Sequence, residues 1–430
     1  MQGFFFDLLL VIYPETRWYN TGMVEKSSFR NQQQWCEYCG GQKRKHTSFW
    51  LDGLMQICTS ILPNRFLPPS VYTLVASLLD TVLLQLGLVK EVSSFDRFNV
   101  PIRSVCFTDE AKRVGIIVTA LRGPAGFINQ FRMRVAGSVF SFEGLPTGFP
   151  KGEPNNTLDI DDKAVVKKAL KSFGFPILPS KSFWFFQKKQ AVRYARQIGY
   201  PVVVKPRFGS YSRHVFTDIG NDPQLIQAID SNKDFGPAFL VERFLPHSFV
   251  HRATVVDSTQ VFCLKRAAAF VTGDGMHTIS ELVEIKNRDP NRGETDEEAY
   301  TLFKIPLDTN ADAYLAQQGF TRNSVPKNYV RVGIQKDPFI RLGADGVEVT
   351  SMLHPDTVQL FQNVAKQFNL RLVGLDFLCQ DISKSWKEQP CAILELNSLP
   401  CIEVHHYPSE GIPQNVGLAI VNMVKKYYVS

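Results

Sequence analysis

The chain has 430 residues, which allows two or three domains at ~150 residues each. Hydrophobic residues make up 44% and charged residues 21%, a balance that excludes a largely disordered protein. The net charge of +7 is spread thinly, so no region has the charge density of a nucleic-acid-binding domain.

The first 158 residues are weakly patterned. Gly3 to Tyr13 is apolar but short, which favours a buried strand over a signal peptide or a membrane span. No stretch approaches ~20 apolar residues, so we expect no membrane contact and a cytoplasmic location. A helix is predicted at Val71–Leu86, alternating strands at Gly115–Ala120 and Phe131–Phe142, and a linker at Leu145–Asn156.

Eight cysteines are present, and only Cys36-x-x-Cys39 has the spacing of metal ligands. His46 and Cys58 could complete a zinc site with them. That spacing is loose, and reduced thiols in a cytosolic protein are the default interpretation.

Strong periodicity begins at Asp159. Asp161 is predicted to cap a helix with Val166 and Leu170 on its inner face, and a second helix carries Ala191 and Ala195 inward. Strands are predicted at Pro201–Pro206, Ala238–Glu242, Ala253–Val256 and Gln260–Leu264, the last two joined as a hairpin.

The remaining elements follow a tight turn at Gly273-Asp274-Gly275. Thr278 and Glu281 form a capping box, and residues 290–345 are irregular, as in an insertion over an active site. A helix from Pro355, strands Leu372–Cys379 and Ala392–Leu396, and a helix Val416–Tyr427 complete the pattern.

Two predicted strands near the end of the chain carry oxygen-donating side chains. Asp376 lies in one strand, and Glu395 and Asn397 lie two apart in the next, so the latter two share a face. Three such donors suit Mg²⁺ that is also held by substrate phosphates. Polar caps at strand ends are the alternative interpretation.

Lys205 ends a run of three valines, where a lysine is costly to bury unless it meets an anion. Gly209, Ser210 and Ser212 follow in a loop of small residues whose amides could approach phosphates, and Arg213 adds positive charge. A solvent-exposed lysine on an edge strand is the alternative.

In this order along the chain, these features resemble the ATP-grasp module of cyanophycin synthetase. They resemble that of bifunctional glutathione synthetases less closely. The matching motifs are Val271-Thr-Gly-Asp-Gly-Met-His-Thr-Ile-Ser-Glu-Leu-Val283, the region of Asp376, Glu395-Leu-Asn397-Ser-Leu-Pro400, and His405-His-Tyr-Pro-Ser-Glu-Gly411. The resemblance covers about 159–430. It does not extend to a Mur-ligase-like module, and we expect none.

The resemblance implies a role for each matching residue. Lys163 and Lys205 would hold ATP phosphates with the loop of Ser210, Ser212 and Arg213. The strand end with Leu240, Val241 and Glu242 would be the adenine hinge. Asp376, Glu395 and Asn397 would bind Mg²⁺, with two ions expected and Mn²⁺ as an alternative. Arg252 and Arg266 would face the transferred phosphate and the carboxylate, where a planar fork binds bidentately. A surface ion pair is the alternative for Arg266.

The sequence departs from the family pattern at three places. The acid that the family has shortly before Arg252 is missing, because Phe249 and Val250 stand there. The loop from Gly209 to His214 has fewer glycines than the phosphate loop of cyanophycin synthetase. Glu403 stands where that family has an arginine, so a cationic or amine-bearing substrate is conceivable.

The predicted fold is α+β: an ATP-grasp fold, in which two α+β subdomains grip ATP, with an additional N-terminal domain at 1–158. Within 159–430 we expect linker helices (159–200), a lid subdomain (201–275), an insertion (276–345) and a metal-binding core (346–430).

The predicted function is an ATP-dependent carboxylate–amine ligase that forms an acyl phosphate and uses small carboxylate and amine substrates. Homo-oligomerisation stays open. The alternatives are a small-molecule kinase and a nucleotide-binding module without catalysis. ATP turnover with pooled amino acids and short peptides would separate them.

Overall fold

The computed structural model describes residues 36, 38, 46–61, 80–124, 126–147, 158–210, 212–295, 297 and 299–428. The predicted strand at 3–13, the first part of the predicted helix at 71–86 and most of the predicted linker lie outside these residues; residues 80–85 are helical. Throughout the described ranges, no helix has both the length and the apolar character to cross a membrane.

The N-terminal region contains a four-stranded antiparallel sheet whose strands are adjacent in sequence order. Helix α1 spans His46–Ile61, and the sheet and its packed helix comprise β1 (Lys90–Val92), α2 (Ile102–Arg113), β2 (Ile117–Gly123), β3 (Gly126–Val135) and β4 (Ser138–Glu143). Both predicted alternating stretches are therefore strands, and the second is the β3–β4 hairpin.

Helix α3 (Lys163–Ser172) begins one residue later than predicted. Its N-cap is Asp162, whose carboxylate accepts from the backbone amides of Ala164 and Val165. Asp161, the predicted cap, instead accepts hydrogen bonds from Ser398. Adjacent aspartates are equally good caps by sequence, and the neighbouring chain decides between them.

A second four-stranded sheet, in the order β5-β8-β6-β7, forms the lid subdomain. Its elements are β5 (Ser180–Trp184), α4 (Lys188–Ile198), β6 (Val202–Pro206), β7 (Phe216–Ile219), α5 (Asp222–Lys233) and β8 (Ala238–Arg243). Helices α4 and α5 pack on it through a core that includes Ala191, Ala195, Leu225 and Ile229. This sheet thus includes β5 and carries α4 on its face, although both lie in the range predicted as linker helices (159–200).

The predicted hairpin is present as β9 (Phe249–Val256) and β10 (Gln260–Ala267). Asp257 and Ser258 turn the chain with φ values of 52° and 55°. Aspartate tolerates this left-handed conformation better than most residues, which suits it to the turn.

The insertion has its own small core rather than being wholly irregular. It contains β11 (Phe270–Thr272), α6 (Ile279–Asn287), β12 (Arg292–Gly293), β13 (Leu302–Phe303), α7 (Thr309–Gln317) and β14 (Arg331–Gly333). The predicted capping box of Thr278 and Glu281 is present at α6. Apolar side chains of α6, α7, β11 and β14 pack together.

The central sheet has five antiparallel strands in the order β15-β10-β9-β16-β17. Its later elements are β15 (Asp345–Glu348), α8 (Pro355–Gln367), β16 (Leu372–Cys379) and β17 (Cys391–Asn397), followed by α9 (Glu403–His406) and α10 (Val416–Tyr428). One face packs on α3 and α8, and the other shares a core with α2 and α10. The sheet takes two strands, β9 and β10, from the predicted lid range.

Candidate active site

Three charged side chains form one row across the central sheet. Asp376 on β16 lies opposite Arg252 on β9 and opposite Glu395 on β17. The register shifts after Asp376, because Phe377 pairs with Ile393. Beyond this bulge the strand keeps its alternation, so Glu395 and Asn397 share the face of Asp376. Asp376 lies in the interior of the sheet, whereas Glu395 and Asn397 lie towards the end of the edge strand β17.

Arg252 holds Asp376 with two hydrogen bonds. Its Nε and Nη2 lie 2.5 Å and 3.1 Å from the carboxylate oxygens, and both residues are buried. Burial alone would raise the pKa of the Asp376 carboxyl, but the charges of Arg252 and Arg266 outweigh it and hold the pKa below its ordinary value. Asp376 is therefore ionised, and both of its oxygens accept from Arg252.

Arg266 approaches the same carboxylate from β10, with 4.0 Å between its Nη2 and the Asp376 oxygen. Its side chain is only 11% exposed, so it is not a surface ion-pair partner. Burial lowers the pKa of Arg266, although the neighbouring Asp376 raises it. The site thus concentrates two guanidinium groups beside one carboxylate.

A glycine makes room for this row. Gly374 lies opposite Asn397 and two residues before Asp376, on the same face. A Cβ atom there would lie 3.1 Å from the Cβ of Pro400, and 3.4 Å from both Arg252 Nη1 and Asn397 Cβ. A side chain here would crowd Pro400 most and would touch Arg252 and Asn397.

Two lysines, one on α3 and one in the lid, lie beside acidic side chains. Lys163 donates to the carbonyl oxygen of Gly209 at 2.7 Å, and its Nζ lies 3.4 Å from Glu395 Oε2. Lys205 is 7% exposed and lies 3.2 Å from Glu242 Oε1, so it is not the exposed edge lysine of the alternative interpretation. Lys163 joins the lid loop to the acids of the central sheet.

Sequence reasoning missed a third lysine. Lys167 is 4% exposed, and its Nζ lies 2.5 Å from Glu242 Oε2 and donates to the carbonyl of Ile393 at 3.1 Å. Burial lowers the pKa of Lys167 to about 8, against the raising effect of Glu242. Its position four residues after Lys163 on one helix was the available signal, because such residues share a face.

The segment predicted as the adenine hinge lies within the lid sheet. Leu240, Val241 and Glu242 pair with a strand on both sides, and Leu240 and Val241 are buried. Burial raises the pKa of the Glu242 carboxyl, but Lys167 and Lys205 outweigh it and lower the net pKa. Glu242 is engaged by two lysines, and its adenine contact stays a prediction.

The loop after β6 is held at its start and its end. The Nε and Nη2 groups of Arg207 donate to the Asp162 carboxylate, and the Gly209 carbonyl accepts from Lys163. Ser210 is exposed, and its carbonyl accepts from the Arg213 amide. The guanidinium of Arg213 lies 5.6 Å from the Phe49 ring on α1. Phosphate contacts of Ser210, Ser212 and Arg213 stay a prediction.

A cavity opens beside the two arginines. Arg252, Arg266, Thr301, Cys401 and Tyr407 are among the residues that line it. Thr301 is 5% exposed, and its hydroxyl has no hydrogen-bond partner among the described residues. A buried polar group without a partner costs free energy, so this cavity suits a polar occupant.

The donor set fits a magnesium ion. Asp376, Glu395 and Asn397 offer carboxylate and amide oxygens, the ligands that Mg²⁺ prefers. The amide nitrogen of Asn397 is buried without a hydrogen-bond partner in the part of the chain described.

Comparison with known proteins identifies the module. A family model described as "Carbamoyl-phosphate synthase L chain, ATP binding domain" matches residues 162–248. Cyanophycin synthetase of Trichormus variabilis is 33% identical over 264 residues, 61% of this chain and 29% of that protein. The chain carries an ATP-grasp domain. The family match begins at the cap of α3 and includes Lys163, Lys167, Lys205 and Glu242.

Two further proteins resemble this chain. The glutathione biosynthesis bifunctional protein GshAB of Streptococcus agalactiae is 32% identical over 266 residues, 60% of this chain and 34% of that protein. The crystal structure of a bifunctional glutathione synthetase from Pasteurella multocida superposes with a TM-score of 0.59 at 22% identity. It covers 82% of this chain and 46% of that one. The chain spans about a third of the length of these curated relatives, and the ATP-grasp fold is confirmed.

Proposed function

We propose that the chain is an ATP-dependent carboxylate–amine ligase that forms an amide through an acyl phosphate and releases ADP and phosphate. One observation carries the proposal. Buried lysines on α3 and β6 converge with the row of Arg252, Asp376 and Glu395, beside a cavity with an unpaired hydroxyl. Relatives named as synthetases match this part of the chain, which favours a ligase over a kinase.

The lysines bind the phosphates of ATP, and the acidic side chains bind the metal. Lys163 and Lys205 hold the phosphates, and Lys167 keeps Glu242 in place between the helix and the lid. Asp376, Glu395 and Asn397 would hold Mg²⁺, with two ions expected and Mn²⁺ as a possible substitute. The ion would neutralise charge that develops on the transferred phosphoryl group.

Arg252 and Arg266 position the carboxylate substrate at the mouth of the cavity. A carboxylate oxygen attacks the γ-phosphorus, the bond from that phosphorus to the bridging oxygen of ADP breaks, and an acyl phosphate forms. The amine nitrogen then attacks the acyl carbon and loses a proton, and phosphate leaves with the original carboxylate oxygen. Arginines that stay charged and bind bidentately suit this positioning.

The proposal gives the chemical class of the two substrates but not their identity. Amino acids or short peptides would supply the carboxylate and the amine, as they do in the named activities of the relatives. A cytoplasmic location and homo-oligomerisation stay predictions from the sequence.

An oxygen-label experiment tests the mechanism. After a screen of amino acids and short peptides for stimulated ATP turnover, the active carboxylate is prepared with ¹⁸O. The label should appear in inorganic phosphate, with ADP as the nucleotide product. AMP and pyrophosphate would overturn the proposal in favour of adenylation, and ADP without label in phosphate would mean a kinase or a plain ATPase.

A further inference from the structure

A second cluster of ligand-type side chains lies where the end of the loop after β6 meets the start of α1. It consists of Cys36, His46 at the start of α1, and His214 at the end of the loop after β6. The three residues are 5%, 9% and 1% exposed. One ligand atom from each lies within 4.8 Å of the other two. Two distant parts of the sequence, 36–46 and 214, thus bring a thiol and two imidazoles to one buried point.

The spacing of these atoms suits a tetrahedral ion. Cys36 Sγ lies 3.4 Å from His214 Nε2. With Zn–S near 2.3 Å and Zn–N near 2.0 Å, a tetrahedral site puts these two atoms about 3.5 Å apart. A thiol–imidazole hydrogen bond would explain that distance alone. It would not explain the second imidazole, whose ring centroid lies 5.1 Å from that of His214.

Contacts around His214 orient one nitrogen towards the cluster. Its Nδ1 lies 3.0 Å from the carbonyl oxygen of Ser231, an acceptor, so Nδ1 carries the proton and Nε2 presents its lone pair to Cys36. Metal-bound histidines are typically fixed by this bond to a carbonyl. The ring also stacks on Phe235, with centroids 4.4 Å apart.

The backbone of His214 is fixed as well. Its amide donates to the carbonyl of Tyr38 at 3.1 Å, and its carbonyl accepts from Asn232 Nδ2 at 3.0 Å. Its φ of 52° is a left-handed conformation that costs a histidine free energy. The surrounding contacts hold this conformation, which directs the ring to Cys36.

We propose that Cys36, His46 and His214 bind one zinc ion. Thiolate and imidazole ligands select zinc over the hard ions Mg²⁺ and Ca²⁺, which prefer oxygen. The sequence hypothesis named Cys36 and His46 but completed the set with Cys39 and Cys58. Cys39 and the side chain of Cys58 lie outside the described residues, and His214, 168 residues after His46, was not foreseeable from spacing.

The ion fastens the segment before α1 to the far end of the phosphate loop. It leaves Lys163, Lys205 and Asp376 untouched. Three protein ligands leave one tetrahedral position for a further ligand, and the ion ties the end of the loop between Gly209 and His214 to Cys36 and α1.

The experiment measures metal in the full chain. The protein is purified without chelators, dialysed, and analysed for zinc per chain. Cobalt is then exchanged in, and its absorption is recorded. We expect about one zinc per chain and a cobalt spectrum with a thiolate charge-transfer band and the intense visible bands of tetrahedral coordination.

Variants locate the ion. Cys36→Ser and His214→Gln should each weaken zinc affinity by about 100-fold or more. Cys391→Ser is the matched control, because that thiol donates to the Trp386 carbonyl far from the cluster, and it should bind zinc like the wild type. If a variant fails to fold, the cobalt spectrum of the wild-type chain decides. A wild-type chain without zinc and without the thiolate band, or unchanged zinc affinity in folded Cys36→Ser, would overturn the proposal.

Discussion

Glu242→Gln removes one charge from the most deeply buried ion cluster of the lid. Glu242 is 2% exposed, and its oxygens lie 2.5 Å from Lys167 Nζ and 3.2 Å from Lys205 Nζ. At an effective dielectric constant of about 20, these contacts correspond to about 7 and about 5 kcal/mol of Coulomb attraction. Much of that offsets the desolvation of the three groups. The net loss expected when one partner of a buried pair disappears is about 3–5 kcal/mol.

The assay is equilibrium unfolding by urea without nucleotide. The matched control is Asp230→Asn, which breaks the Lys188–Asp230 pair, whose side chains are 37% and 39% exposed. An exposed pair is worth less than about 1 kcal/mol, so the control should stay near the wild type.

The pH dependence of the loss is a second readout. Burial lowers the pKa of Lys167 to about 8 in the native chain, below its ordinary 10.5. Between these values the folded state binds fewer protons than the unfolded state, so stability rises with pH there. Without Glu242 the pKa of Lys167 falls further, so Lys167 in the folded variant loses its proton at a lower pH than in the wild type. The stability difference should therefore shrink as pH rises towards about 8. A pH-independent loss no larger than that of the control would refute the reasoning.

Three further predictions concern the site. Glu395→Gln removes a proposed magnesium ligand, so ADP formation should fall about 100-fold or more. The melting temperature should stay near that of the wild type. Normal ATP turnover would contradict the assignment of Glu395 as a metal ligand. Lys205→Met should weaken ATP more than ADP in a thermal-shift titration, because ATP carries more negative charge; unchanged stabilisation by Mg-ATP would exclude Lys205 as a phosphate ligand. Gly374→Ala places a Cβ 3.1 Å from the Cβ of Pro400, closer than ordinary contact, and should cost about 1–3 kcal/mol in urea unfolding. In the control Gly220→Ala the added Cβ lies 3.6 Å from the Gln224 side chain, so this change should cost less.

Local patterns were the part of the fold that the sequence could specify. The β9–β10 hairpin and the capping box at Thr278 depend on a few neighbouring residues, and both are present. The cap of α3 at Asp162 shows the limit of this reasoning. Asp161 and Asp162 have the same chemistry, and the choice depends on Arg207 and Ser398, which are far away in sequence.

The site was predictable where it follows strand alternation. Glu395 and Asn397 share a face because they are two residues apart, but their alignment with Asp376 depends on a bulge that leaves no clear mark in the sequence. The partners of Glu242 depend on how α3 lies between two sheets, which no local pattern encodes. The boundary of the lid was missed for the same reason, because β5 joins that sheet only through its pairing with β8.

Helix α3 has a mechanical consequence for nucleotide entry. Two lysines on one turn of this helix contact both the lid and the central sheet. Lys167 contacts Glu242 in the lid and the Ile393 carbonyl in the central sheet. Lys163 contacts Gly209 in the loop after β6 and Glu395 in the central sheet. If α3 stays on the central sheet, swinging the lid outward would break the Lys167–Glu242 ion pair and the hydrogen bond from Lys163 to the Gly209 carbonyl. Incoming phosphates would offer the lysines a replacement partner as those contacts part. On the proposed function, α3 would release the lid as the nucleotide arrives.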